Sequence, residues 1–444
     1  MSKGENSSLD QSANGAQPNC QREWIYIDSA YSVDSLVARR HESFLDARHR
    51  DGYFGRVWGV HPQVGLLNGA KAGAVRIVRT SSRQWVLDGF VPGRKLPRWR
   101  LPLNMLAAHA RLIGAMVRLA RRPQVVAIFA TCTFYNGLLA KFVSMLSGKP
   151  YFVATYGNQD ELYEATKALA YPRLLPFRWL ELIVQRSVLR SAEFVEAPTL
   201  NLQDHMLRRG AHAERIAVVP VIKYIAPIHR PDPASRPSPD AWLREHGVPI
   251  RNRYLLCIGR LLELKHADDA VRAMQFVLER DADAVGLMAG DGPLRDELTR
   301  MIDGAGLSGR LFLLGLVDQD VLSALIPRTI TLSPLTGMAL IETSLGGSPP
   351  VAYDRDWQPE FVRDGENGFL VPFRDHRAMG ERALQLLQDD ALYTRLAQQV
   401  RSDALTFADI QVNAAREHAA LDAALARHAW RPKSLLARLF ARER

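Results

Sequence analysis

Short β-rich runs alternate with helical stretches through the chain, and the alternation occurs twice, on either side of one segment that supports neither. In the first half, residues 24–28, 125–130, 151–155, 194–197 and 216–221 read as strands; in the second, residues 254–258, 284–289, 311–316, 329–332, 351–353 and 369–371 do. Strands that alternate with amphipathic helices build a parallel sheet with crossover helices on its faces. Between them the sequence turns to PIHRPDPASRPSPDAW, whose prolines break helices and deny backbone donors to a sheet. The expectation is an α/β chain of two doubly wound, Rossmann-like domains: a tail over 1–21, a first domain over 22–232, a Pro-rich linker over 233–250, a second domain over 251–405, and a helical segment with a basic tail over 406–444. Domains of this kind bind ligands at the carboxyl ends of their strands, which places the site in a cleft that the two domains face.

Length and composition agree. A chain of 444 residues exceeds one compact core, and 47% apolar with 23% charged residues excludes disordered, collagenous and disulfide-scaffold classes. No apolar run reaches the roughly 20 residues that a membrane span requires, and the first 20 residues lack the apolar core of a signal peptide. They are rich in Ser, Gly, Asn and Gln and are expected to be disordered. Cys20, Cys132 and Cys257 show no metal-ligand spacing, so reduced thiols and a cytoplasmic location are expected. A net charge of +10 favours an anionic partner: nucleotide diphosphate, anionic lipid or nucleic acid.

Three segments of the second half carry chemistry. In YLLCIGRLLELKHADDAVRAM, residues 254–274, Gly259, Arg260 and Lys265 lie directly after a strand and just before a helix. A glycine that admits close backbone approach, a helix N-terminus and two cations suit a diphosphate. The same residues also suit a plain turn with two solvated cations. In AGDGPLRDEL, residues 289–298, Gly290 and Gly292 flank Asp291 at a strand end and Pro293 opens a helix, a second rim turn or a purely structural one. In SPLTGMALIETSLGGSPPVAYD, residues 333–354, Thr336, Gly337 and Met338 open a helix that carries Glu342, placed to accept hydrogen bonds from ribose hydroxyls or else solvated.

With PEFVRDGENGFLVP, residues 359–372, these segments occur in an order that resembles the retaining family-4 glycosyltransferases of the GT-B fold over roughly residues 254–407. The first half is similar only loosely, in TLNLQDHMLRRGAHAERIAVVPV, residues 199–221. The resemblance implies that Arg260 and Lys265 hold the diphosphate and stabilise its charge as the glycosidic bond breaks. It implies that Glu342 is the second acid of the family's paired-glutamate motif, at the ribose, and that the Gly337 N–H faces the donor. Gly259, Gly290, Asp291, Gly292, Thr336 and Met338 then belong to the donor site. The anionic partner becomes a nucleotide-sugar, UDP- or GDP-linked, rather than nucleic acid.

Two departures stand out. Eight positions before Glu342, where the family has its first glutamate facing the donor sugar, stands Pro334. After the first strand, where the family has a glycine-rich loop, the chain has IDSAYSVDSL, residues 27–36. Asn136, with Thr133 and Tyr135, and the set Gly157, Asn158 and Asp160, with Tyr156, are substitute candidates for the acceptor side; both sets also suit capping and turn roles. Asp354, Arg355 and Asp356 have the spacing of a metal-binding acid pair, but no metal is expected where Arg and Lys neutralise a diphosphate. His41, His61 and His205 show no paired spacing and read as structural.

Residues 95–122 set Arg111, Arg118 and Arg122 beside Leu112, Met116 and Leu119, a pattern that suits both a helix on an anionic membrane and an ordinary crossover helix. The tail from Trp430 mixes Leu435, Leu436, Leu439 and Phe440 with Arg438 and Arg442. The functional expectation is a metal-independent, retaining transferase that moves a sugar from a nucleotide-sugar to a glycan or lipid-linked acceptor in envelope or exported polysaccharide synthesis, cytoplasmic and peripheral at the inner membrane face. The alternative is a catalytically inactive partner protein of the same fold that binds nucleotide-sugars.

Overall fold

A computed structural model of the chain describes residues 22–28, 48, 50, 52–62, 70–95, 101–172, 175–222 and 225–429. The expected tail over 1–21, most of the segment 27–36, His41 and the basic tail from Trp430 lie outside the described residues.

Fourteen strands are described, in two sheets. The first sheet comprises β1 (Glu23–Ile27), β2 (Arg56–Val60), β3 (Ala70–Arg79), β4 (Gln84–Lys95), β5 (Val125–Ala130), β6 (Tyr151–Ala154), β7 (Phe194–Ala197) and β8 (Ile216–Val218), in the order β3-β4-β2-β1-β5-β6-β7-β8. β1 pairs parallel with β2 and β5, and β5 with β6, as the alternation predicts. β3 and β4, which the sequence pattern does not announce, form an antiparallel hairpin at the edge, so the sheet is mixed.

The second sheet is wholly parallel: β9 (Tyr254–Ile258), β10 (Gly286–Ala289), β11 (Leu311–Gly315), β12 (Thr329–Ser333), β13 (Pro350–Tyr353) and β14 (Phe369–Val371), in the order β11-β10-β9-β12-β13-β14. Parallel strands covered on both faces read as apolar runs, and β9, YLLCI, shows why. Its side chains alternate between faces, so Leu255 and Cys257 join the core against the helices Ala267–Leu278 and His376–Gln388, while Tyr254 and Leu256 pack with Leu243, Leu322 and Leu325. Cys257 is a free thiol, and burial pushes its pKa up to about 12.

The strand order reverses between β9 and β12. In open α/β sheets the crevice beyond the carboxyl ends of the strands at such a reversal is where ligands bind. The loops that follow β9 and β12 are residues 259–265 and 334–338, the segments that carry Arg260, Lys265 and Gly337.

The chain divides into two compact units, residues 1–154, 179–195 and 418–444 in one and residues 155–178 and 196–417 in the other. The Pro-rich segment lies within the second unit and is more structured than its composition suggests. It forms the 3-10 turns Pro227–His229 and Pro233–Ser235 and the helix Asp240–Glu245, with Leu243 fully buried. Arginines supply the donors that its broken backbone lacks: Arg236 reaches the carbonyls of Ser323 at 2.8 Å and His229 at 2.8 Å, and Arg401 that of Arg230 at 3.0 Å. In the first unit, the end of the helix Ile410–Ala429 is fixed by a Tyr53 hydroxyl bond to Asp422 (2.6 Å), an Arg22–Asp422 pair (2.8 Å) and His428 on the Gly148 carbonyl (2.8 Å).

The helix Leu101–Ala120 turns Leu112, Met116 and Leu119 into the core and leaves Arg111 and Arg118 exposed. It is a crossover helix with a basic outer edge, and the apolar stripe that suggested a membrane-surface helix is occupied by packing. Among the described residues no helix is long and apolar enough to cross a membrane.

Candidate functional site

The site is built from turns at the carboxyl edge of the second sheet. The loops after β9, β10 and β11 are laced together by backbone bonds from Gly259 N to Ala289 O (3.0 Å), Leu261 N to Asp291 O (3.1 Å) and Gly290 N to Gly315 O (2.7 Å). A Cβ on Gly290, whose φ is +140°, would lie 1.9 Å from the Gly259 carbonyl oxygen, and one on Gly292 would lie 2.4 Å from that of Leu261. Both glycines are therefore required by the approach of one loop to the next. The Asp291 carboxylate accepts from Gly292 N at 2.8 Å and sits 3.9 Å from Arg295, so its observed partners are those of a turn residue.

What this lacing holds is Lys265. It ends the 3-10 turn Glu263–Lys265, is followed by His266 at φ +49°, and so stands at the start of the helix Ala267–Leu278. A Cβ on Gly337 would lie 3.6 Å from the Lys265 ammonium, and one on Gly259 would lie 4.0 Å from Thr336 Cα. Gly259, Arg260, Lys265 and Thr336 thus line one recess, which Cys257 and Met288 floor. Arg260 is exposed at its mouth. The pKa of Lys265 is lowered, first by burial and then by Arg260, with Asp356 acting in the opposite sense. A cation held in this way is electrostatically costly until an anion arrives.

Behind Lys265 is a support that the motifs do not reveal. Arg374 donates to His266 Nδ1 at 2.5 Å and lies 3.3 Å from Asp269, which also accepts from the Tyr353 hydroxyl at 2.8 Å and from Arg272 at 3.4 Å.

On the β12 side, Ser333 donates to Gln358 Oε1 at 2.5 Å, which leaves Thr336 to donate to Ser333 Oγ at 2.7 Å. Gln358 Nε2 in turn donates to the Tyr353 carbonyl at 3.1 Å. This chain ties the Thr336–Gly337 turn to the turn after β13. Gly337 is left-handed, at φ +75°. Met338 packs against the apolar cluster of Leu340, Ile341 and Phe361, so its side chain contributes to the core. Pro334, at the family's first-glutamate position, is buried.

Glu342 lies on the helix Ala339–Leu345, and burial pushes its pKa up to about 7. Among the described residues none hydrogen-bonds its carboxylate. Asp356, in the turn after β13, adopts φ +58°, and its pKa is raised to about 6 by burial first and Glu161 second, with Lys265 opposing. Its neighbour Arg355 pairs with Glu161 at 3.6 Å. Sequence reasoning treated Asp356 only as half of an acid pair. Among the described residues no group of three or more potential metal ligands is assembled.

The acceptor-side candidates have local partners. Asn136 is buried in the first unit and donates to Thr131 Oγ1 at 3.4 Å. In the second unit Asn158 caps the helix Gln159–Thr166, accepting from Asp160 N at 3.1 Å and Glu161 N at 3.4 Å. Gly157 accepts from the Thr155 hydroxyl at 3.1 Å. Asp160 is the centre of an ion cluster with Arg178, Arg209 (2.8 Å through Nε) and His205 (3.4 Å). Burial and the surrounding arginines lower the pKa of His205 while Asp160 opposes them, so it is a buried structural histidine.

Comparison with known proteins bears directly on these segments. Residues 35–221 match the "Glycosyl transferase 4-like domain" model, and residues 239–403 match "Glycosyl transferases group 1". The chain carries the paired domains of the GT-B glycosyltransferases. The structure of Anabaena HepE in complex with UDP and glucose is similar at a TM-score of 0.65 and 16% identity over 90% of this chain and 99% of that one. Sucrose-phosphate synthase from Thermosynechococcus elongatus gives 0.63 at 15% identity, over 89% and 97%. At such identities the likeness concerns the fold. By sequence, the alpha-D-kanosaminyltransferase of Streptomyces kanamyceticus is 28% identical over 238 residues, 50% of this chain and 57% of that protein. The lipopolysaccharide core biosynthesis glycosyltransferase LpsE of Rhizobium meliloti is 31% identical over 141 residues, 29% and 41%. The chain thus spans about half the length of these relatives.

Proposed function

We propose that the protein transfers a glycosyl group from a UDP- or GDP-linked sugar to a hydroxyl of an envelope or exported glycan, or of its lipid-linked precursor. The observation that carries this reading is the set of charged groups at the β9–β12 reversal: Lys265 in the recess, Arg260 exposed at its mouth and the half-buried Glu342, whose carboxylate hydrogen-bonds none of the described residues. A nucleoside diphosphate engages all three at once, its phosphates meeting Arg260 and Lys265 and its ribose hydroxyls donating to Glu342. As the bond between the anomeric carbon and the diphosphate oxygen breaks, the two cations stabilise the negative charge that develops on the leaving group without need of a metal. The acceptor hydroxyl takes the anomeric carbon, and its proton goes to the departing phosphate on the same face, which retains the configuration as the motif resemblance implies. Relatives named for lipopolysaccharide core synthesis and for poly(ribitol-phosphate) support an envelope acceptor.

A thermal-shift screen with UDP, GDP, ADP and their sugars tests the donor site, since a ligand at a hundred times its Kd adds about 2.7 kcal/mol to the native state. Stabilisation by none of them contradicts the reading; binding without turnover makes the protein an inactive partner. We place the enzyme at the inner membrane face on its charge of +10. Sedimentation with anionic vesicles at low salt, lost at high salt and absent with neutral lipid, is the expected result, and equal partitioning into both lipids contradicts it.

A further inference from the structure

The second unit holds another carboxylate, that of Asp356, which hydrogen-bonds none of the described residues. A non-glycine residue at φ +58° bears a strain that an aspartate normally offsets by an Asx hydrogen bond to a nearby backbone N–H. Among the described residues nothing hydrogen-bonds the Asp356 carboxylate, and Arg355 beside it pairs with Glu161 instead. Asp356 is nonetheless held in place. Gln358, fully buried two residues on, reaches back to the Tyr353 carbonyl and across to Ser333, which in turn holds Thr336. The turn that carries Asp356 is thereby braced against the turn that carries Gly337, where Lys265 lies, and the Asp356 and Lys265 charges interact.

We propose that Asp356 is the residue that reads the donor sugar: its carboxylate accepts hydrogen bonds from sugar hydroxyls beside the diphosphate held by Lys265. The assignment rests on the nucleotide-sugar reading of this site. It supplies an acid on the sugar side where position 334 is a buried proline.

Two variants suit the backbone: Asp356→Gly, which adopts φ +58° without strain, and Asp356→Asn, which tolerates the left-handed region. Affinities for UDP, GDP, UDP-glucose, UDP-N-acetylglucosamine and GDP-mannose are measured by titration calorimetry on wild type and both variants. The free diphosphate of the right base should bind the variants as well as or better than wild type, because a negative charge near Lys265 is gone. Its sugar conjugate should bind Asp356→Gly about ten- to a hundredfold more weakly, the size of a lost hydrogen bond to a charged group. The value of kcat/KM for transfer should fall in parallel. Unchanged nucleotide-sugar affinity in both variants, or an equal loss for the diphosphate and its sugar, overturns the assignment. Failure of the wild type to bind any of these nucleotides overturns the underlying donor-site reading, which is a separate result.

Discussion

Replacing Glu342 by glutamine should stabilise the protein above neutral pH while weakening its grip on nucleotide. Burial without a hydrogen-bonding partner among the described residues raises this carboxyl from 4.5 to about 7. At 1.36 kcal/mol per tenfold change in acidity, that corresponds to about 3 kcal/mol of native-state penalty once the group is ionised. The native state binds the proton more tightly than the unfolded chain. The contribution of the protonated group is therefore fully present below pH 4.5 and lost as pH rises through 7. Glu342→Gln has no such loss. In the ligand-free protein the variant should match wild type near pH 4.5 and exceed it by about 3 kcal/mol at pH 8. For a unit of about 250 residues that is a rise in Tm of roughly 6–12 °C. Thermal unfolding of both proteins across this pH range measures it. An equal offset at every pH, or none at pH 8, would refute the argument that an uncompensated charge sits there. The nucleoside diphosphate that stabilises wild type should bind the variant about tenfold or more weakly, because a charge-assisted acceptor has gone.

Gly290→Ala places a methyl 1.9 Å from the Gly259 carbonyl oxygen at φ +140°, so it should cost about 3 kcal/mol or more in urea unfolding of the second unit; a change under about 0.5 kcal/mol would contradict the close-approach account. Glu360 accepts from Leu200 N and Asn201 N at 2.7 Å each, so Glu360→Ala should cost about 1 kcal/mol of stability as a lost helix cap, and calorimetry should show nucleotide affinity within twofold of wild type. Glu342→Ala should do the reverse, and equal losses of affinity would mean that the ribose acid is wrongly chosen.

The second sheet was legible because its strands are continuous apolar runs and its glycine turns fall at their carboxyl ends; β9 and β12 begin and end within a residue or two of expectation. The hairpin of β3 and β4 was not. AKAGAVRIVR mixes alanine with arginine, and its outward Ile77 is 57% exposed, so no clean alternation marks it. The order of the motifs named Lys265 and Glu342, and the topology explains why they share one edge. Asp356 was hidden because its importance lies in a left-handed backbone and in Gln358, whose bonds to Ser333 and Tyr353 have no local sequence signature. Asp160 was ambiguous for the opposite reason. An acid at a strand-to-helix turn resembles a ligand contact, but its arginine partners are 18 and 49 residues away in sequence.

The central claim is that the edge at the β9–β12 reversal holds the diphosphate of a nucleotide-sugar and stabilises it as it leaves. The most direct test is release of UDP or GDP from UDP-glucose, UDP-N-acetylglucosamine and GDP-mannose, supplied with mixed envelope glycan and lipid acceptors, by wild type, Arg260→Ala and Lys265→Ala. Wild type should release diphosphate from at least one donor. Each variant, folded by circular dichroism, should do so about a hundredfold or more slowly, the effect of removing a group that stabilises developing transition-state charge. Release at the wild-type rate by both folded variants would contradict the assignment.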